Sequence, residues 1–302
     1  MSVDLERVVF IVGVGRSGTT LLQCMLNAHS RLVFLPETHF LRRWGGHGGP
    51  LSCEELRSDK DLMRTGLDPC GEPGPTSPRA LYLSLLRRYA EKRGAGYVGD
   101  KDPKNVEYLP RIREWFPRAR VIHLVRDPRD VVLSRMRAKW SRKRPFMIQV
   151  LICREQLKLG CRLGPELFKD SYREVRYEDL IESPAEILES ICRDLDLAFE
   201  PGMLDYAAGA AEMISGEETL WKSNCFRPIM RGNRGNWRGV LSPRRIRFIE
   251  TVCGEAFERF HYKREYPHAH GSGGGVREVA LRRLDRCYLR RYSGRKRRDS
   301  DE

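Results

Sequence analysis

The run VVFIV (Val8 to Val12) leads directly into GVGRSGTT (Gly13 to Thr20) and then into LLQCMLNAHS, and this junction restricts the fold more than any other stretch of the chain. A short, continuous, β-branched run ended by glycine is the pattern of a buried strand. Leu21, Leu22, Met25, Leu26 and Ala28 then recur at helical spacing. Strand, glycine loop and helix together open a βαβ unit. The loop has the outline of the nucleotide-binding pattern G-x-x-x-x-G-K-[ST]. Gly13, Gly18 and Thr20 are in register, but Thr19 stands where that pattern has lysine.

The rest of the chain continues the alternation. RLVFLPE (Arg31 to Glu37) is an extended segment, YVGDKDP a short strand running into a polar turn, and Val121 to Val125 a strand turned at Asp127-Pro128 into a helix. Helices are expected over 79–93, 145–160, 184–195 and 243–260, with a further strand over Glu174 to Tyr177. Short strands alternating with helices predict an α/β fold: a P-loop-like parallel sheet flanked by helices, in a single domain over residues 1–266. Residues 45–79 are rich in Gly, Pro, Ser and Asp. They are expected to form an irregular insertion or lid with a short helix near Glu54 to Leu62. PHAHGSGGGVRE marks a linker over 267–275, and 276–302 is a basic helical tail ending in RKRR.

A glycine turn after a strand presents successive N–H groups to an anion, and the following helix aims its positive end at the same place. Ser17, Thr19 and Thr20 add hydroxyls and Arg16 a fixed cation. Without the lysine this is a good cradle for phosphate or sulfate and a poor one for a nucleoside triphosphate with its magnesium. A second anion site is expected at LVRDPRDVVLSRM, with Arg126 at a strand end and Ser134 in the next helix. Carboxyl ends of strands in an open α/β sheet share one crevice, so two such sites suit a ligand with anionic groups at two ends. A P-loop kinase or NTPase is the main alternative. A non-enzymatic protein binding polyanions through its basic tail is another.

The 302 residues carry a net charge of +14, which favours anionic partners. The tail from Lys263 contributes +6 of it, so the remainder lies on the body of the chain. No nucleic-acid signature accompanies the charge. No apolar run is long enough to span a membrane and no signal peptide is visible, which leads to an expectation of cytoplasmic residence. The nine cysteines show no C-x-x-C pair and no metal-ligand spacing with histidine. Reduced thiols are expected, with Cys53 and Cys70 the one pair considered for a bridge.

FIVGVGRSGTTLLQCMLNAHSRLVFLPET resembles the 5′-phosphosulfate loop of sulfotransferases that use 3′-phosphoadenosine 5′-phosphosulfate (PAPS), and VIHLVRDPRDVVLSRM resembles their 3′-phosphate motif. The spacing from RSGTT to Glu37, together with KDP at Lys101 to Pro103, is similar to the tyrosylprotein-sulfotransferase-like branch. The resemblance runs from about Val8 to Tyr177 and echoes as far as Trp237. It implies the sulfotransferase fold, PAPS as co-substrate, no metal, and an acceptor carrying a hydroxyl: a tyrosyl peptide, a carbohydrate or a small molecule. A homodimer is compatible with it. It implies that Arg16, Ser17, Gly18, Thr19 and Thr20 hold the 5′-phosphosulfate and that Arg126 and Ser134 hold the 3′-phosphate. Tyr177 would lie near the nucleotide. Glu37 would be the general base, Lys101 would act with Arg16 on the transferring group, and Ser223 of WKSN would stand near the sulfate. The branch carries a cofactor lysine just before a tryptophan. Here Asn236 precedes Trp237, leaving Arg231 or Arg234 as replacements.

Overall fold

The computed structural model describes residues 3–46, 51–71, 77–207 and 228–266. Ser223, the linker and the basic tail lie outside them. The described residues divide into two compact units: 3–126 with 159–234, and 127–158 with 235–266.

The first unit holds β1 (Asp4–Gly13), α1 (Thr19–Asn27), β2 (Leu32–Phe34), α2 (Phe40–Arg43), α3 (Cys53–Ser58), α4 (Lys60–Met63), α5 (Pro78–Lys92), β3 (Tyr97–Lys101), α6 (Leu109–Trp115) and β4 (Arg120–Val125). After α7 (Pro128–Arg137) of the second unit and α8 (Phe146–Phe168), which contributes to both, come β5 (Tyr172–Arg176), α9 (Tyr177–Glu182) and α10 (Pro184–Asp194). The strands form one sheet in the order β2-β3-β1-β4-β5, and every pairing is parallel. All carboxyl ends therefore lie along one edge.

The continuous apolar run of β1 follows from its central place. Val8, Phe10 and Val12 face one core with Leu81 and Leu85 of α5 and Ile112 of α6. Val9 and Ile11 face the other, with Leu22 and Met25 of α1 and Leu188 and Ile191 of α10. Each such side chain contributes about 1.5–3 kcal/mol on burial. The helix starts are written locally. Ser77 accepts from the Ala80 N–H ahead of Pro78 in α5, and Asp127 accepts from the Arg129 N–H ahead of Pro128 in α7.

Residues 51–71 are more ordered than a glycine- and proline-rich insertion suggests. Two short helices, α3 and α4, are held by a disulfide between Cys53 and Cys70. Arg43 pairs with Asp59 and, at 2.6 Å, with Asp61; Arg57 lies 2.9 Å from Asp68. The bridge joins the one pair set apart in the sequence, while Cys24, Cys153, Cys161, Cys192 and Cys253 are free thiols. Tertiary folding brings the two Cα atoms to 5.7 Å across 17 residues, a separation the sequence does not reveal. Among the described residues no helix is long and apolar enough to cross a membrane. Helices α6 and α9 are too short and too mixed in composition to be read from periodicity. The expected helix 243–260 is two, Pro243–Val252 and Gly254–Arg259, broken at Cys253.

The second unit is organised by Arg129. Its guanidinium bonds both oxygens of Asp127, donates to Glu250 Oε1 at 2.6 Å, and stacks 4.0 Å from the centroid of the Trp237 ring. Glu250 also accepts from the N–H groups of Glu265 and Tyr266, at 2.9 and 3.0 Å. Asp130 accepts from the N–H groups of Gly235 and Trp237, at 2.7 and 3.1 Å. Burial opposes the Arg129 charge, but the two carboxylates outweigh it and hold its pKa above the ordinary value.

Two stability predictions follow from this packing. Arg129→Ala leaves Asp127 and Glu250 buried without their cation and should cost about 3–5 kcal/mol in denaturant unfolding. A midpoint unchanged from wild type would show that the cluster contributes nothing. Asp100, fully buried on β3, has its carboxyl raised to about 7 by burial first and by the neighbouring Asp102 charge second. In the unfolded chain a carboxyl titrates near 4, so between about pH 4 and 7 the native state keeps a proton the unfolded state has lost. Stability from this group therefore falls as pH rises through that window. Asp100→Asn should flatten the slope and gain most above pH 7, measured by urea unfolding at a series of pH values.

Candidate active site

All five strands deliver side chains to the carboxyl edge of the sheet, β3 from its last residue and the others from the segments that follow them. β1 ends in the glycine loop. The chain after β2 carries Glu37, β3 ends at Lys101, β4 is followed by Arg126, and β5 by Tyr177. The loop is held in an uncommon conformation. Arg16 has φ 85° and Gly18 φ 100°, both left-handed. The Ser17 N–H donates to the Val14 carbonyl at 3.0 Å. The Ser17 hydroxyl is fully buried, and its Oγ has no hydrogen-bond partner among the described residues. Helix α1 begins at Gly18 with no side-chain cap. First-turn N–H groups, an orphaned hydroxyl and an arginine thus occupy one loop, the donor set an oxyanion requires.

Gly18 is fixed by a close approach as well as by its φ. A Cβ there would lie 2.3 Å from Cδ2 of Tyr177. The tyrosine ring therefore packs on the loop backbone. The Arg126 guanidinium sits 4.3 Å from the centroid of the same ring. Arg126 donates to the Asn233 carbonyl at 2.8 Å, and Asn233 Nδ2 donates to the Tyr177 hydroxyl at 2.8 Å. The loop, Tyr177, Arg126 and Asn233 make one connected group.

Lys101 and Glu37 are ion-paired, with Nζ 2.6 Å from Oε2 and side-chain exposures of 1% and 12%. Lys101 also donates to Thr20 Oγ1 at 3.3 Å. A buried lysine is thereby shared between the loop and the carboxylate. Behind them His39, at φ 56°, has Nδ1 2.8 Å from Asp102 Oδ2. One ligand atom from each of Glu37, His39 and Asp102 lies within 4.8 Å of the others.

Of the residues singled out from the sequence, Arg16, Ser17, Gly18, Thr19, Thr20, Glu37, Lys101, Arg126 and Tyr177 belong to the first unit and its carboxyl edge. Ser134 lies on α7 in the second unit, and its role rests on the resemblance alone. Ser223 lies outside the described residues. Arg231 and Arg234, named in place of the family lysine, both belong to the first unit. Arg234 pairs with Glu182 at 2.9 Å, each about half exposed, and Arg231 is exposed. Asn233 is a further contact of Arg126 and Tyr177, with His39 and Asp102 the other additions. The first asparagine of RGNRGNW and a histidine two residues past Glu37 carry no pattern that would single them out.

The chain is 28% identical over 278 residues to protein-tyrosine sulfotransferase 1 of Danio rerio, a match covering 86% of this chain and 73% of that protein. It is 29% identical over 206 residues to a protein-tyrosine sulfotransferase of Drosophila melanogaster, covering 66% of this chain and 40% of the fly protein. Among solved structures, the sulfotransferase domain of the Synechococcus PCC 7002 olefin synthase superposes with a TM-score of 0.68 at 24% identity. That match covers 86% of this chain and 96% of the domain, and shares the fold. Residues 8–201, from β1 to beyond α10, match the model of the sulfotransferase family, and the chain belongs to that family.

Proposed function

We propose that this sulfotransferase moves a sulfuryl group from PAPS to a hydroxyl acceptor, using Glu37 as the general base. The observation that carries this reading is the contact chain Thr20–Lys101–Glu37, which ties the anion loop, a buried cation and a carboxylate into one unit. The residues fit the co-substrate. The orphaned Ser17 hydroxyl, the uncapped start of α1 and Arg16 suit the 5′-phosphosulfate, with Gly18, Thr19 and Thr20 forming the backbone of the cradle. Arg126, held between Tyr177 and Asn233, suits the 3′-phosphate. PAPS supplies the activated sulfuryl group; the protein supplies positioning and charge.

Glu37 takes the proton of the acceptor hydroxyl as that oxygen bonds to sulfur and the bond to the nucleotide phosphate breaks. Lys101 stands between Glu37 and the loop. It orients the base before reaction and sets positive charge beside the transferring group with Arg16. Thr19 in the lysine position is consistent with this chemistry, because a sulfuryl group carries one negative charge fewer than a phosphoryl group. Among acceptors, a tyrosyl hydroxyl on an acidic peptide is favoured by the +14 charge of the chain and by its similarity to protein-tyrosine sulfotransferases. The Cys53–Cys70 disulfide favours an oxidising compartment over the cytoplasm.

Calorimetric titration with 3′-phosphoadenosine 5′-phosphate (PAP) without magnesium should give saturable binding, weakened about 10–100-fold by Arg126→Ala. Binding of ATP with magnesium in place of PAP would overturn the reading. Glu37→Gln should retain PAP binding while acceptor sulfation falls about 10²–10⁴-fold, measured by transfer of radiolabelled sulfate to a tyrosyl peptide. A variant that sulfates at the wild-type rate would remove Glu37 from the role of base.

A further inference from the structure

A second constellation lies on the first unit, away from the loop. His123 of β4 and Glu174 of β5 are register partners on adjacent parallel strands, so both side chains emerge on the same face of the sheet. Helix α8 covers that face. It lies so close that a Cβ on Gly160 would be 2.4 Å from Cε1 of the His123 ring. Tyr172, beneath Gly164, donates its hydroxyl to the Gly160 carbonyl at 2.9 Å. This seating places Cys161, the next residue, over the strand pair. One ligand atom from each of His123, Cys161 and Glu174 lies within 4.8 Å of the others, and His123 Nδ1 is 3.9 Å from Glu174 Oε1.

The His123 ring is completely buried, yet neither of its nitrogens has a hydrogen-bond partner among the described residues. A neutral imidazole always presents one donor and one acceptor, and buried polar groups in native proteins are almost always satisfied. An imidazole aimed at a thiol and a carboxylate, with no protein hydrogen bond of its own, is what a metal-binding set looks like without its ion.

We propose that His123, Cys161 and Glu174 bind a zinc-like divalent transition-metal ion. One imidazole nitrogen, one thiolate and one carboxylate oxygen form a borderline-soft donor set that suits Zn²⁺ and disfavours Mg²⁺ and Ca²⁺, which take oxygen ligands. Bonds of about 2.0–2.3 Å place tetrahedral ligand atoms roughly 3.3–3.8 Å apart, so separations of at most 4.8 Å close by no more than about 1.5 Å. The partly exposed Glu174 can supply that movement, and water fills the fourth position. On binding, the Cys161 thiol gives up its proton to solvent and the sulfur bonds the metal. His123 lies three residues before Arg126, roughly 10 Å back from the carboxyl edge along β4. The ion therefore takes no part in sulfuryl transfer. It clips α8 to the β4–β5 pair, the end of the sheet where β5 has no further neighbour among the described residues. The sequence shows no metal-ligand spacing because the three ligands sit on three separate elements.

The test uses the full chain, free of any affinity tag, stripped with chelator and titrated with Co²⁺ as a spectroscopic probe for Zn²⁺. The expected result is one cobalt per chain, with a near-ultraviolet thiolate-to-cobalt band that zinc abolishes. Cys161→Ser should lose that band, and Glu174→Gln should lose saturation at equimolar cobalt. Zinc should raise the melting temperature of wild type but not of Cys161→Ser. PAP binding by each variant confirms that it is folded. Folded wild type that takes up no cobalt, or a thiolate band that survives Cys161→Ser, would overturn the proposal.

Discussion

The hydrogen-bonded placement of β1 between β3 and β4 governs the rest of the first unit. Because all pairings are parallel, each strand releases its chain at the same edge, and the chemistry of the protein collects there. Residues from positions 16 to 177 become neighbours through this single constraint. The register is specific: Ile11 lies beside both Lys101 and Ile122, so the loop after β1, the lysine ending β3 and the arginine after β4 emerge at nearly the same height. Burial on both faces fixes that register, since a one-residue slip would exchange the two cores.

The charges at the edge are restrained before any anion arrives. Lys101 rests on Glu37 and Thr20, and Arg126 rests on the Tyr177 ring and the Asn233 carbonyl. These partners keep the cations oriented, and an incoming anion competes with contacts the protein already makes. Preorganisation of this kind lowers the reorganisation needed when charge develops in a transition state. The left-handed backbone at Arg16 and His39 belongs to the same pattern. Non-glycine residues in that region carry strain and persist only where their surroundings fix them. Tyr177 does much of the fixing, because its ring meets the Gly18 backbone on one side and Arg126 on another.

RDPRDVVLSRM shows how one motif serves two ends. Arg126 turns toward Tyr177 in the first unit, while Asp127, Arg129 and Asp130 organise the second. RDPRD is also a helix start, with Asp127 the cap of α7 ahead of Pro128. Both interpretations hold because successive residues in the motif point to different partners. The sequence could not reveal that Arg129 reaches Glu250, 121 residues away, or that Trp237 lies under its guanidinium.

What the sequence determined by itself is local: strand runs with β-branched residues, glycine loop, caps and prolines at helix starts, and the paired motifs carrying Arg16, Lys101 and Arg126. These signals depend on neighbours within a few residues, so they survive without a fold. Tertiary structure alone decided the contacts between distant elements. It brought Cys53 to Cys70, placed Asn233 between Arg126 and Tyr177, set His39 against Asp102, and gathered His123, Cys161 and Glu174 from two strands and a helix. None of these has a spacing rule. Each depends on which face of the sheet a side chain occupies and which helix covers that face, and sheet pairing and packing settle both only when the whole unit closes.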